Sequence, residues 1–301
     1  MTKSNEVKIL ITGASGFIGA KLANTLIKTG AIVYGVSRKQ QKEDAGIIWK
    51  TGDLSDSKFV DELVQKIDPD YIFHLASHVV GSRNIEYVQT TFDDNLVSTL
   101  NILKAIKDGN CKRLIITGSL EEGDKEEMEV TPSSPYAASK IAASNYARMF
   151  YSLYDTPVAI ATLFMVYGPG QKDLNKLVPY VIGKIKDQEA PEVSSGVREI
   201  DWIFVDDVVK GLIKMMKAPG IDGKSVEIGS GQLISIKSFV ILLAKLMNPE
   251  ILPKFGAVKD RKKEQVRVAN VSVTKKLISW EAETSVESGL LQAIDYYKNL
   301  I

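Results

Sequence analysis

Hydrophobic and polar positions follow two alternating periods along the first half of the chain. Short β-branched runs, "VKILIT", "AIVYGV", "YIFHLA" and "RLIITG", are separated by segments whose apolar residues recur at helical spacing, over 17–29, 55–66 and about 84–107. Strand and helix periods in that succession predict βαβ units in a parallel sheet covered on both faces. The fold class is therefore α/β, with a Rossmann-type doubly wound parallel sheet. A further helix is expected over 134–153, followed by the strand "VAIATLF", before Gly and Pro in "VYGPGQ" end regular structure.

Beyond that point the alternation becomes irregular, which predicts a smaller, discontinuous C-terminal domain. The expected division is 1–170 with about 202–230 for the first domain, and 171–201 with about 231–301 for the second. The helical stretch "FVDDVVKGLIKMM" is expected to pack back on the sheet. The acidic stretch "EEGDKEEMEVTPSS" has turn formers and no period, so it reads as a solvated loop.

Composition alters this picture little. The 301 residues are 45% hydrophobic and 25% charged with a formal net charge of +1, enough apolar residues for a sizeable core. Acidic and basic residues are mixed throughout, so no nucleic-acid or membrane-surface partner is expected. The single Cys111 cannot form an internal disulfide, and Met1 leads into a polar "TKSNE" segment without a signal-peptide pattern. No apolar run approaches the roughly 20 residues needed to cross a bilayer. These features predict a cytoplasmic protein without a transmembrane helix.

Candidate chemistry begins at "ITGASGFIGAKLANTLIKTG", where Gly13, Gly16 and Gly19 fall at the join of the first strand and first helix. Glycines there permit a tight turn, approach of backbone N–H groups to a pyrophosphate at the helix N-terminus, and close helix packing. The spacing is GxxGxxG rather than GxGxxG, and a turn without ligand is the plain alternative; the position at the first βα join favours a dinucleotide. The second strand ends at Ser37 and Arg38, where an NAD-selective site usually carries a carboxylate for the ribose 2'-hydroxyl. A guanidinium suits a 2'-phosphate, so NADP(H) is the preferred cofactor and NAD the other possibility. An ordinary solvated Arg is the alternative. His74 and His78 stand four apart but leave a strand through a loop, with no Cys or carboxylate cluster to complete a site, so no metal is assigned.

"PYAASK" places Tyr136 and Lys140 four residues apart at the start of a helix, on one face. A free phenol, with a pKa of ~10, is a poor acid–base catalyst at neutral pH, and an adjacent ammonium is expected to lower it. With "TGASGFIG", "GDL" at 52–54, "FHLAS" at 73–77, "TGS" at 117–119, "VYGPGQ", "DWIFVDDV" and "ANVSVTKKLISW", the chain resembles the extended short-chain dehydrogenase/reductases acting on nucleotide sugars, the NAD-dependent epimerase/dehydratase family. The resemblance covers nearly the whole chain. It implies a catalytic set in which Ser119 orients a carbonyl, Tyr136 is the acid or base, and Lys140 binds the nicotinamide ribose. It further implies cofactor contacts from Ser15, Phe17 and Ile18 beside the three glycines, from Asp53 and Leu54 at adenine, and from Leu75, Ala76, Ser77 and Thr117. Phe164 and Val166 would flank the nicotinamide. A nucleotide-sugar substrate and a homodimer are implied in the same way.

Several positions depart from the family pattern. Thr162 and Met165 stand where members often have Arg and Asn, and Ile200 stands where Arg usually precedes "DW". Arg198, two residues earlier and on the same strand face, is a substitute for substrate binding, as is Arg261 with Glu264 after it. In the family's 4,6-dehydratases Ser or Thr is followed by Asp and Glu; here Leu120 occupies the first position and cannot donate a proton to a leaving hydroxyl. "GSLEEGD" resembles instead the GSxEE pattern of 4-ketoreductases of deoxysugar pathways, in which Glu121 would hydrogen-bond a sugar hydroxyl and Glu122 is a solvated loop residue. The expected function is NADPH-dependent reduction of the C4 keto group of an NDP-4-keto-6-deoxyhexose. The alternatives are an NDP-sugar 4-epimerase that retains NAD, and a non-catalytic NADP-binding module.

Overall fold

The computed structural model describes residues 6–42, 46–123, 131–261 and 264–300. Residues 1–5, which include "TKSN", and residues 124–130 of the acidic stretch lie outside the described residues. The chain divides into two compact units, Met1–Thr162 with Leu212–Val226, and Leu163–Gly211 with Glu227–Ile301. The divisions fall at 162, 211 and 226 rather than at the expected 170, 201 and 230, because the chain leaves the first unit at the end of a strand and re-enters it within a helix.

The first unit runs β1 (Lys8–Thr12), α1 (Phe17–Lys28), β2 (Ile32–Ser37), β3 (Ile47–Thr51), α2 (Ser57–Ile67), β4 (Tyr71–His74), α3 (Tyr87–Thr91), a π-helical segment Phe92–Val97, α4 (Ser98–Ile106), β5 (Arg113–Ser119), α5 (Pro135–Tyr154) and β6 (Val158–Leu163). The second contains β7 (Met165–Tyr167), α6 (Leu177–Lys186), β8 (Glu192–Val193), β9 (Glu199–Phe204), and α7 (Val205–Lys217), whose later half belongs to the first unit. After β10 (Ser225–Ile228) come β11 (Leu233–Ser235), α8 (Ile236–Met247), β12 (Lys254–Phe255), α9 (Val271–Ile278) and α10 (Val286–Leu300).

A seven-stranded sheet ordered β10–β6–β5–β4–β1–β2–β3 carries the first unit, and β3, β2, β1, β4 and β5 pair in parallel. Its strands are buried on both faces, as in Ile9, Leu10 and Ile11 of β1, which is why they read as continuous apolar runs. In α1 the residues Gly19, Leu22, Ala23 and Leu26 are buried at helical spacing. Asp56 caps α2 through the Lys58 and Phe59 N–H groups, and Ser134 caps α5, which opens on Pro135. The continuous helix expected near 84–107 is instead α3 and α4 joined by the π-helical segment. One extra residue in that turn aims Asn95 inward, where its side chain accepts from Ser77 Oγ (2.9 Å) and His78 N (2.6 Å) and donates to Ser139 Oγ (2.9 Å). No strand was expected at β3, a partly exposed edge strand.

In the second unit a three-stranded sheet, β11–β9–β7, and a two-stranded one, β12–β8, share a core with α6, α8 and α10. Trp202 stacks on Phe239 at 3.8 Å between ring centres. Two acids of "DWIFVDDV" are structural: buried Asp201 accepts from the backbone N–H groups of Ser230, Gly231 and Ala269, and buried Asp207 from those of Glu283 and Thr284. Among the described residues no helix is long and apolar enough to cross a membrane.

Candidate active site

The turn from β1 into α1 is built for an approaching anion. Gly13 has φ +70°, and a Cβ there would stand 2.7 Å from the Ala76 backbone nitrogen. A Cβ on Gly19 would collide with the Gly13 carbonyl oxygen, a backbone atom that cannot step aside. Gly16 caps α1 with no side chain over the first N–H groups, so they point outward with the positive end of the helix dipole. The cavity beside this turn, about 460 Å³, is bordered by the expected residues Gly13, Ser15, Gly16, Ser37, Arg38, Asp53, Leu54, Leu75, Ala76 and Ser77. Phe17 and Ile18 open α1, and Gly19 lies buried beneath the turn. The residues present fit a dinucleotide: glycines that let the turn close tightly on the Ala76 backbone and on itself, N–H groups at the start of α1 that no side chain caps, and a cleft at the C-terminal ends of parallel strands. Gly19→Ala should therefore push the Gly13 carbonyl out of place, lowering stability by about 1–3 kcal/mol and weakening nucleotide retention. Thermal unfolding and nucleotide release measure both, and an unchanged melting temperature would contradict the packing argument.

Arg38 is not free at this cavity. Its Nη1 donates to both oxygens of Asp94, at 3.3 and 3.2 Å, and Asp94 also lies 3.7 Å from His78 Nδ1. His78 borders the cavity too, a loop residue beside the cofactor site as its place after the fourth strand suggests, while Lys39, Asp94 and Ser98 there were not anticipated. Asp53 Oδ1 accepts from the N–H and hydroxyl of Ser55, both at 2.9 Å. The backbone bond from Ser55 is the main influence holding this carboxyl below its usual range. His74 is a buried strand-end residue, bonded to Thr12 Oγ1 at 2.8 Å and Thr99 Oγ1 at 3.1 Å. Burial pulls its pKa down to about 3, so it is neutral at physiological pH.

The second cluster forms where β5 ends against the first turns of α5. Lys140, buried, donates from Nζ to the Thr117 carbonyl (2.9 Å) and to Thr117 Oγ1 (3.1 Å), 5.9 Å from the centre of the Tyr136 ring. The Tyr136 phenol lies near enough to the Ser119 side chain for that group to lower its pKa. The expectation that Lys140 lowers the Tyr136 pKa is corrected: burial pushes the phenol up to about 12, the Ser119 side chain opposes this, and the Glu122 and Glu121 carboxylates add to the rise. Burial likewise pulls Lys140 down to about 8, with Glu122 opposing. The protein groups alone thus hold Tyr136 protonated at neutral pH, poised to donate; its competence to accept a proton grows as pH rises or as positive charge is brought near.

Glu122 is the second correction. It is not a solvated loop carboxylate: Oε1 accepts the Ser119 N–H at 2.7 Å, while Ser119 Oγ accepts the Glu121 N–H at 3.2 Å, a reciprocal capping box on the turn Leu120–Glu122. Burial raises its pKa. Glu121, named from sequence as a catalytic-site residue, accepts from Ser133 Oγ at 3.2 Å. Leu120 is buried, so the turn offers no acid in the position an elimination needs.

The remaining expected residues belong to the second unit. Phe164 is buried and Val166 lies in β7. Arg198 donates to the Gln265 carbonyl at 3.0 and 2.6 Å and pairs with Glu264 at 3.2 Å; Arg261 lies 3.9 Å from the same carboxylate and is 60% exposed. Sequence reasoning missed Arg267, which pairs with Glu227 at 2.7 Å and lies 5.8 Å from the Phe164 ring centre.

Comparison with known proteins places this geometry in a family. The chain is 28% identical to the UDP-glucuronate 4-epimerase of Thermodesulfobacterium geofontis, over 97% of this chain and 96% of that one. It is also 28% identical to a dTDP-glucose 4,6-dehydratase of Xanthomonas campestris pv. campestris, over 96% and 92%. A UDP-glucuronic acid 4-epimerase from Bacillus cereus, solved in complex with UDP-glucuronic acid and NAD, has the same fold, with a TM-score of 0.86, 23% identity, and coverage of 98% of this chain and 100% of that one. The model of the NAD dependent epimerase/dehydratase family matches residues 9–229, and the chain belongs to that family.

Proposed function

We propose that the protein is a nucleotide-sugar 4-epimerase that retains NAD, with the first unit holding the dinucleotide and the second the nucleotide sugar. The observation that carries this reading over a dehydratase is the turn after β5, and the similarity to a 4-epimerase favours it over a reductase. Ser119 and Tyr136 stand together there, with Leu120 in place of an eliminating acid and both neighbouring carboxylates engaged in hydrogen bonds within the first unit. That set exchanges one proton with a sugar oxygen and has no residue for removing water. The similarity over 97% of the chain to a UDP-glucuronate 4-epimerase supports the same reading.

In this scheme the glycine turn and the start of α1 hold the pyrophosphate, and Lys140 holds the nicotinamide ribose. The dinucleotide supplies the hydride acceptor and donor. Ser119 orients the C4 oxygen, and Tyr136 takes its proton in one direction and returns it in the other. Lys140 stays anchored on the Thr117 carbonyl and hydroxyl, which fixes it for the ribose. Arg198, Arg261 and Arg267 supply guanidinium groups suited to the diphosphate.

A 4-ketoreductase is the second reading, favoured by the Ser-Leu-Glu-Glu turn and by Ser37 and Arg38 at the end of β2. Its NADPH preference rested on a free Arg38, and the Asp94 carboxylate bonded to that guanidinium weakens the case. One panel separates the two. The purified protein is given UDP-glucuronic acid, UDP-glucose and their dTDP, GDP and CDP counterparts without added cofactor, and products are read by NMR. In parallel, NADPH oxidation is followed at 340 nm with NDP-4-keto-6-deoxyhexoses. A C4 epimer in the first arm is the expected result; NADPH consumption in the second with no epimer would establish the reductase instead.

A further inference from the structure

The end of β2 carries no carboxylate. Ser37, Arg38 and Lys39 occupy it, a sequence that invites a 2'-phosphate. Across the cavity the π-helical segment supplies the missing acid. Asp94 accepts from Arg38 Nη1, its backbone carbonyl accepts from Ser98 Oγ at 2.6 Å, and its side chain is 18% exposed against 63% for Arg38. The carboxylate is therefore the fixed partner and the guanidinium the movable one. His78 approaches the same carboxylate from the loop after β4.

We propose that Asp94 is the residue that selects NAD over NADP in this chain, by neutralising Arg38 and holding a carboxylate beside the guanidinium a 2'-phosphate would use. This rests on reading the cavity as a dinucleotide site. An exposed ion pair adds little to stability, so the pair is not there for the fold. Its effect on an incoming ligand is larger, because a phosphate monoester carries about −1.5 to −2 charges and must either displace Asp94 from Arg38 or bind beside it. An unphosphorylated ribose meets no such repulsion and finds in Asp94 an acceptor for its hydroxyl, the role an acid at the end of β2 usually plays. At the separations of this cluster, removing one full charge should change the NADP/NAD ratio about tenfold.

The test equilibrates the protein with equal concentrations of NAD+ and NADP+, removes free nucleotide, denatures the sample and quantifies what is released. Wild type should release mainly NAD. Asp94→Asn, nearly isosteric, should shift the NADP/NAD ratio upward about tenfold, and Asp94→Asn combined with Arg38→Ala should remove the gain, showing that it runs through Arg38 and not Lys39. Circular dichroism of each variant confirms the fold, and Asp94→Ser serves if Asp94→Asn does not fold. An unchanged ratio in the Asp94 variants, or mainly NADP from wild type, would overturn the inference. Release of neither nucleotide from any of the proteins would overturn it together with the dinucleotide reading of the cavity.

Discussion

Replacing Tyr136 with Phe is expected to lower turnover about 10²–10⁴-fold while leaving KM for the nucleotide sugar within a small factor of wild type. The substitution removes one oxygen. Lys140 keeps its bonds to Thr117 and Glu122 keeps the Ser119 N–H, because neither contact involves the phenol. Losing the phenol oxygen beside Ser119 costs at most about 1 kcal/mol of stability, too little to unfold a domain of this size. A fall in turnover with intact substrate binding is the signature of a group that acts in the transition state. Steady-state kinetics with the epimer formed as the readout supplies the check, and turnover within threefold of wild type would remove Tyr136 from the proton transfer.

Arg113→Met should destabilise the first unit by about 3 kcal/mol or more. The guanidinium, nearly buried at the start of β5, forms a two-point pair with Asp222 at 2.6 and 2.9 Å. It also donates to the carbonyls of Met215 (2.8 Å) and Ala218 (2.7 Å), beyond the partners helical bonds provide at the end of α7. Methionine fills much of the volume but leaves Asp222 without its cation and those carbonyls without a donor. Breaking a buried pair from one side costs more than the pair contributes, because the surviving charge is stranded. Asp222 is one-quarter exposed and recovers part of its hydration, which places the effect near the lower end of that range. Denaturant unfolding of wild type and variant measures it; a loss below 1 kcal/mol would mean that Arg113 does not fasten the end of α7 to the sheet.

The fold was legible where burial is two-sided. β1, β4 and β5 lie between layers of helices, and their unbroken apolar runs identify them. β3 left no such trace: as an edge strand its five residues are intermediate or exposed, and their hydropathy does not alternate. The π-helical segment was illegible for another reason, since one added residue in a helical turn leaves the apolar period almost unchanged while re-aiming the side chains within it.

The site followed the same division. Glycines at the β1–α1 join, Ser119, Tyr136 and Lys140 are set by local geometry and could be named from spacing. Partners that meet only through the fold could not: Asp94 lies 56 residues from Arg38, and Glu122 looked like loop because its partner is the backbone of Ser119. Arg267 did leave a signal that hydropathy inverts. In "VRVAN" the two valines are half exposed and the arginine between them is mostly buried, so the alternation was present with its usual sense reversed.

The central claim, that the chain moves hydrogen at C4 and returns it, is tested most directly with UDP-glucuronic acid deuterated at C4, incubated with purified protein and no added nicotinamide. The account predicts the C4 epimer with deuterium still on C4, and NAD released when the protein is denatured. A product that forms only with stoichiometric added cofactor, or one that has lost the C4 deuterium, would contradict it.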